Sequence, residues 1–145
     1  MTVKIVKLQP NAQIPTYGST DAAGADLYAC IEENVTILPG QTVLIPTGLS
    51  MEIEQGFAGF IYARSGLATK RGLAPANKVG VIDCDYRGQV MVSLHNHTNQ
   101  SQSVEPGERV AQMVFAPVYQ ANFLEADTLS DTERGTGGFG STGTK

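Results

Sequence analysis

Apolar and polar positions alternate in short pieces along this chain: Val3 to Lys7, Ala25 to Cys30, Thr42 to Ile45, Ser50 to Ile53, Phe57 to Tyr62 and Val90 to His95. A period of two sends successive side chains to opposite faces of a strand, so each piece predicts a half-buried β-strand. Turn residues punctuate them, at Pro39-Gly40, Pro46, Gly48, Gly56, Gly59, Gly88 and Pro106-Gly107. Many short strands with breaks at such intervals are expected of a sandwich or barrel. The exception runs from Ser65 to Arg71, where Leu, Ala, Lys and Arg favour helix and Gly72 can end it. An all-β domain with one short helix follows. The start of that helix carries unpaired N–H groups beside Arg64 and the Ser65 hydroxyl, which makes it a candidate anion site.

The size of the chain, 145 residues, fits one domain that buries about two thirds of the surface its unfolded form exposes. Sixteen glycines, no tryptophan and only 17 % charged residues suit a turn-rich β globule. A net charge of −4 offers no overall basic footprint, so no nucleic acid partner is expected and a phosphate ligand needs a local site. Arg64, Lys70, Arg71 and Lys78 gather in the middle of the chain and can supply that charge. Cys30 and Cys84 are the only cysteines, without metal-site or disulfide-framework spacing. The first residues lack the apolar region of a secretory signal, and no run is long enough to span a membrane. The expectation is a cytoplasmic protein with free thiols and no membrane partner.

Candidate chemistry concentrates in three places. Gly80 to Gly88 reads Gly-Val-Ile-Asp-Cys-Asp-Tyr-Arg-Gly, a β-branched run that ends in Asp83 and Asp85 at a turn, where carboxylates stay open to ligand. Ser65 and its helix form the second. The third is the glycine-rich end from Arg134 to Gly143, with Phe139 as its one large apolar side chain. Such a tail cannot bury enough surface to order itself, but an arginine, close-approach glycines, an aromatic and the Ser141 and Thr142 hydroxyls suit closure over phosphates and a base. Two G-x-G-x-x-G matches in this tail have no helix after them, and a dinucleotide fingerprint is rejected. His95 and His97 share a strand face at i and i+2 but lack an evident third ligand, so a polar strand end is the better account of them.

Together these segments resemble the trimeric dUTPase family over nearly the whole chain. Five family motifs occur in order: Asp21 to Ala29, Ala63 to Gly72, Asn77 to Gly88, Gly107 to Met113, and the tail from Arg134 to Gly143. The resemblance implies a jelly-roll-like β-sandwich or barrel, assembled as a homotrimer with a swapped C-terminal tail. Residues 1–133 would form the β-domain, and residues 134–145 would close over the active site of another subunit. The implied reaction is hydrolysis of dUTP to dUMP and pyrophosphate by magnesium-assisted water attack at the α-phosphorus. It clears dUTP from the nucleotide pool and supplies dUMP for dTMP synthesis.

The resemblance also implies roles residue by residue. Asp83 is the catalytic carboxylate, holding the sugar 3′-hydroxyl and the attacking water. Tyr86 lies under the deoxyribose and excludes a ribose 2′-hydroxyl. Asn77 pairs with uracil, aided by backbone groups around Val81, Ile82 and Met91. Arg64, Ser65 and Gly66 hold phosphates, with the Ser65 hydroxyl near the α,β-bridge where leaving-group charge develops. Gln112 positions the water or the α-phosphate, and Arg109 secures a subunit interface or a neighbouring carboxylate. Asp26 reaches Mg2+ through one of its waters, the direct ligands coming from substrate phosphates. In the tail, Arg134 meets the γ-phosphate, Phe139 stacks on uracil, and Gly140, Ser141 and Thr142 lie near the phosphates. Lys78, Cys84 and Thr136 stand at positions where the family varies or commonly carries another residue, and none of them removes a catalytic group.

Two rival readings share much of this pattern. A dCTP deaminase needs a glutamate facing the amino-bearing carbon of cytosine, and the stretch from Asn77 to Arg87 contains none. A regulatory relative that only binds nucleotide would have no need of Asp83.

Overall fold

A computed structural model describes residues 1–138. Twelve strands and one helix follow one another: β1 (Lys4–Lys7), β2 (Thr16–Tyr17), β3 (Ala25–Tyr28), β4 (Val35–Ile37), β5 (Thr42–Pro46), β6 (Leu49–Glu52), β7 (Phe57–Tyr62), α1 (Ser65–Arg71), β8 (Leu73–Pro75), β9 (Gly80–Ile82), β10 (Met91–Asn96), β11 (Gln102–Val104) and β12 (Arg109–Pro117). Every alternating piece of sequence forms a strand, and the helix occupies its predicted span. The all-β expectation with one short helix holds.

All described strand pairs are antiparallel. The largest sheet runs β2-β3-β12-β7-β9; a second runs β5-β10-β8, and two ribbons pair β1 with β6 and β11 with β4. Their inward faces meet in one core around Leu27, Ile45, Leu49, Leu73, Leu94, Val104 and Met113, all fully buried. β12, the longest strand, was not among the alternating pieces. It is central in its sheet and nearly apolar along its length, Val-Ala-Gln-Met-Val-Phe-Ala, so a period of two never shows. β2, β4, β8 and β11 are two or three residues long and leave no period to read.

The helix is set by its ends. Arg64 is the extended residue before it, at φ −84° and ψ 129°, and Gly72 closes it in the left-handed region at φ 61°, its N–H donating to Ala68 O. Lys70 and Arg71 stand in the last turn, where cations favour the carbonyl end. Leu67 is buried and anchors the helix to the core.

One buried polar residue ties the sheets together. Asn96 has no exposed surface; its Nδ2 donates to Ile37 O at 2.9 Å and Gln100 O at 2.8 Å, while its Oδ1 accepts from Thr98 N and Oγ1. Asn96→Ala removes the buried hydrogen bond to Ile37 O, while Gln100 O keeps its bond from Thr98 Oγ1, and urea unfolding is expected to show a loss of about 1–3 kcal/mol.

The β-domain ends at β12. Val118 N donates to Gly56 O at 2.9 Å, and from Tyr119 to residue 138 the chain forms no helix or strand. Tyr119, Phe123 and Leu129 along this stretch are each at least 90 % exposed.

Candidate active site

The candidate residues of the second and fourth motifs meet at the open side of the large sheet. Along β12 the register against β3 shifts between Arg109, which faces Tyr28, and Ala111, which faces Leu27. In a regular strand, residues three apart point to opposite faces. The bulge inserts one residue and turns Arg109 and Gln112 toward the same cleft. Gln112 lies directly across from Asp26 of β3 and beside Tyr62 of β7. Its Nε2 donates to Ala63 O at 2.9 Å, fixing the connection that leads into α1.

Asp26 is the electrostatic centre of this cleft. Its side chain is 11 % exposed, and Arg64 Nε donates to one carboxylate oxygen at 2.7 Å while Arg109 Nη1 reaches the other at 3.3 Å. A carboxylate so far out of water requires opposite charge beside it. The two guanidiniums outnumber the one carboxylate, so the cleft keeps a net positive charge. Ser65 and Gly66 at the start of α1 complete its wall, with Gly18, Ala22 and Gly24 opposite. The cleft measures about 230 Å³. A β-carbon on Gly24 would stand 2.5 Å from Gln112 Oε1, so only glycine there leaves room for that side chain.

The third motif builds a second cleft elsewhere on the chain. β9 pairs with the edge of β7, from Gly59 facing Ile82 to Ile61 facing Gly80, and delivers Asp83 to the start of a tight turn in which Tyr86 N donates to Asp83 O at 3.2 Å. Val81, Ile82, Asp83, Tyr86, Gln89 and Met91 enclose about 220 Å³. Its walls are apolar apart from the Asp83 carboxylate and the Tyr86 and Gln89 polar groups. Asn77 does not line it; the residue is exposed, in the turn between β8 and β9. Gln89 was not singled out from the sequence, and its Oε1 accepts from Gly48 N at 3.2 Å.

The two clefts share no residue. Each is smaller than the roughly 300–1,000 Å³ of ordinary ligand pockets. The cationic one suits phosphates; the other, with an apolar bed, a ring and one acid, suits a base and sugar. Arg134 lines neither; it is exposed, and its Nε donates to Gly137 O at 2.8 Å. Phe139, Gly140, Ser141 and Thr142 lie outside the described residues.

Among the described residues no third metal-ligating side chain joins His95 and His97. His95 Nδ1 lies 2.9 Å from Thr42 Oγ1, and the two rings meet edge to face with centroids 4.5 Å apart. Burial, then the charges of His95 and Lys78, hold His97 below the usual histidine range. Among the described residues no three His, Cys, Asp or Glu side chains gather where they could cage a metal, and no helix is long and apolar enough to cross a membrane.

Comparison with known proteins gives a consistent set of likenesses. The dUTPase family model matches residues 10–143. A deoxyuridine 5'-triphosphate nucleotidohydrolase of Nautilia profundicola is 52 % identical over 143 residues, covering 99 % of both chains. One of the same name from Desulfitobacterium hafniense is 49 % identical over 142 residues, covering 97 % of this chain and 94 % of its own. Among solved structures, the Staphylococcus bacteriophage 80alpha dUTPase with dUPNHPP superposes with a TM-score of 0.90 at 26 % identity, covering 99 % of each chain.

Proposed function

Because this chain belongs to the dUTPase family, we propose that it hydrolyses dUTP at sites assembled where the Asp83–Tyr86 cleft of one copy meets the cationic cleft of the next. The protein is a dUTP diphosphatase, yielding dUMP and pyrophosphate. The observation that carries the assembly is the separation of the two clefts: one chain offers a phosphate half and a nucleoside half, and neither is large enough for a nucleoside triphosphate. A homotrimer with three shared sites answers both facts, since a closed ring repeats one such junction at every interface.

In this reading the Asp83–Tyr86 cleft takes the nucleoside. Val81, Ile82 and Met91 bed the uracil, and Asn77 approaches it from the preceding turn. Tyr86 lies under the deoxyribose. Asp83, exposed at the mouth, accepts from the 3′-hydroxyl and from the attacking water, orienting the water in line with the α-phosphorus and drawing its proton as the bond forms. Across the junction, Arg64, Ser65 and Gly66 grip the phosphates, with Gln112 beside the α-phosphate. The Ser65 hydroxyl faces the bridging oxygen on which charge grows as pyrophosphate leaves, so Ser65→Ala is expected to lower kcat by about 10²-fold and KM little, as steady-state kinetics will read. Arg134 and the tail, Phe139 with Gly140, Ser141 and Thr142, close over the bound triphosphate.

The donor set fits a magnesium ion of a particular kind. Asp26 is a lone carboxylate in the phosphate cleft with both oxygens already accepting from guanidiniums, and a carboxylate oxygen has a second lone pair for a water. Magnesium keeps several waters and takes its direct ligands from phosphates, so a single nearby acceptor suffices to hold it. When bound, the ion offsets charge on the triphosphate. A cytoplasmic location suits the two free thiols, Cys30 and Cys84.

The test is pyrophosphate release with magnesium from dUTP, dCTP, dTTP and UTP in parallel, with an ammonia assay on dCTP. Release from dUTP alone supports the reading. Ammonia from dCTP would move the chain to the deaminases, and silence on all four would leave a nucleotide-binding regulator.

A further inference from the structure

We propose that Gly88 is a positioning residue that fixes the Tyr86 ring and, through it, the preference for a deoxyribose over a ribose; this rests on the reading of Tyr86 as the residue beneath the sugar. A β-carbon on Gly88 would stand 2.3 Å from Tyr86 Oη, 2.5 Å from Cζ and 2.9 Å from Cε2, closer than side-chain contacts allow. The hydroxyl end of the ring therefore fills the space a β-carbon would take. Its hydroxyl donates to Gln89 O at 3.0 Å and closes the side chain back over the turn.

Backbone conformation gives no other reason for a glycine here. Gly88 is not among the residues with positive φ, so an alanine meets no torsional penalty of that kind. Nor can the main chain give way. Arg87 O accepts from the buried Ser50 Oγ at 2.7 Å, Val90 N donates to Leu49 O at 2.8 Å, and Val90 O accepts from the buried Thr47 Oγ1 at 2.7 Å. The residues flanking Gly88 are pinned to β6 and the turn before it. The part free to move is the tyrosine, 43 % exposed at the mouth of the nucleoside cleft. A methyl at Gly88 displaces the ring, breaks its bond to Gln89, and leaves the cleft floor unfixed. A floor that excludes a hydroxyl by shape works only while it stays in place; an apolar wall that yields discriminates weakly.

The experiment measures kcat/KM on dUTP and UTP for the parent, Gly88→Ala, Tyr86→Ala and the double variant. Gly88→Ala is expected to reduce the dUTP-to-UTP ratio by about tenfold or more. In the Tyr86→Ala background, where there is no ring to displace, the same change should alter the ratio by less than about twofold. An unchanged ratio in the single variant, or an equal fall without the tyrosine, overturns the proposal. A second measurement needs no Gly88 variant: the Gly88 α-protons should carry a ring-current shift in the parent protein that disappears in Tyr86→Ala. Its absence also overturns the proposal. A parent enzyme that hydrolyses UTP as readily as dUTP would refute the sugar reading itself, and the ring-current shift separates that failure from a failure of the contact.

Discussion

Asp83→Asn is expected to lower turnover on dUTP by about 10²–10⁴-fold while affinity for the nucleotide stays within about tenfold. The substitution is nearly isosteric, and the turn it sits in is held by the main chain, where Tyr86 N donates to Asp83 O. Among the described residues the Asp83 carboxylate makes no ion pair or hydrogen bond that the fold requires. An amide oxygen can still accept from the sugar hydroxyl, so binding survives. It cannot take a proton from water, so the reacting step loses its base. Single-turnover rates on dUTP, set beside equilibrium binding of a non-hydrolysable imido analogue, separate the two quantities. An equal loss in both would show that Asp83 holds the nucleotide rather than the water.

Removing every residue from Arg134 onward is expected to lower kcat/KM by about 10³-fold or more, on the scale of losing an arginine that meets transferring phosphate. The fold has little to lose from that truncation. Among the described residues Arg134 bonds only to Gly137, and Gly135 N returns to Thr132. The exposed apolar residues Tyr119, Phe123, Leu124 and Leu129 all remain in the shortened chain. Light scattering should therefore report the mass of the full-length assembly. In the proposed role the tail makes its contacts to the ligand, so the loss should appear in catalysis and not in the melting temperature. Loss of the trimer would instead make the tail a structural element.

Much of this molecule was legible before its coordinates. Half-buried strands announce themselves through alternation, and Gly72 after Lys70-Arg71 marked the helix end at the residue where it occurs. What escaped was determined by long-range contact. β12 has strands on either side and apolar residues on both faces, so no alternation marks it. The bulge near Val110 has no glycine or proline to betray it, yet it brings Arg109 and Gln112 to one face and so shapes the phosphate cleft. Asp26 was expected near an ion, but its two guanidinium partners, 38 and 83 residues along the chain, follow only from the sheet order. Gln89, Gly18 and Ala22 line the clefts through their place in turns and carry no chemistry that a sequence motif would flag. Asn77 is not among the residues that line the cleft its motif builds; its amide lies against Gly80, beside the lining residue Val81.

The claim that everything else depends on is that each site is shared between copies. Asp83→Asn and Ser65→Ala chains, each impaired alone, can be unfolded together in equal amounts and refolded into mixed assemblies. Where a Ser65→Ala chain supplies the Asp83–Tyr86 cleft and an Asp83→Asn chain the phosphate cleft, the junction is intact. Random association makes about a quarter of the junctions so. The account predicts recovery of dUTP turnover to about a quarter of the parent value, whereas a mixture no more active than the two variants measured separately would place both clefts of each working site in one chain and contradict it.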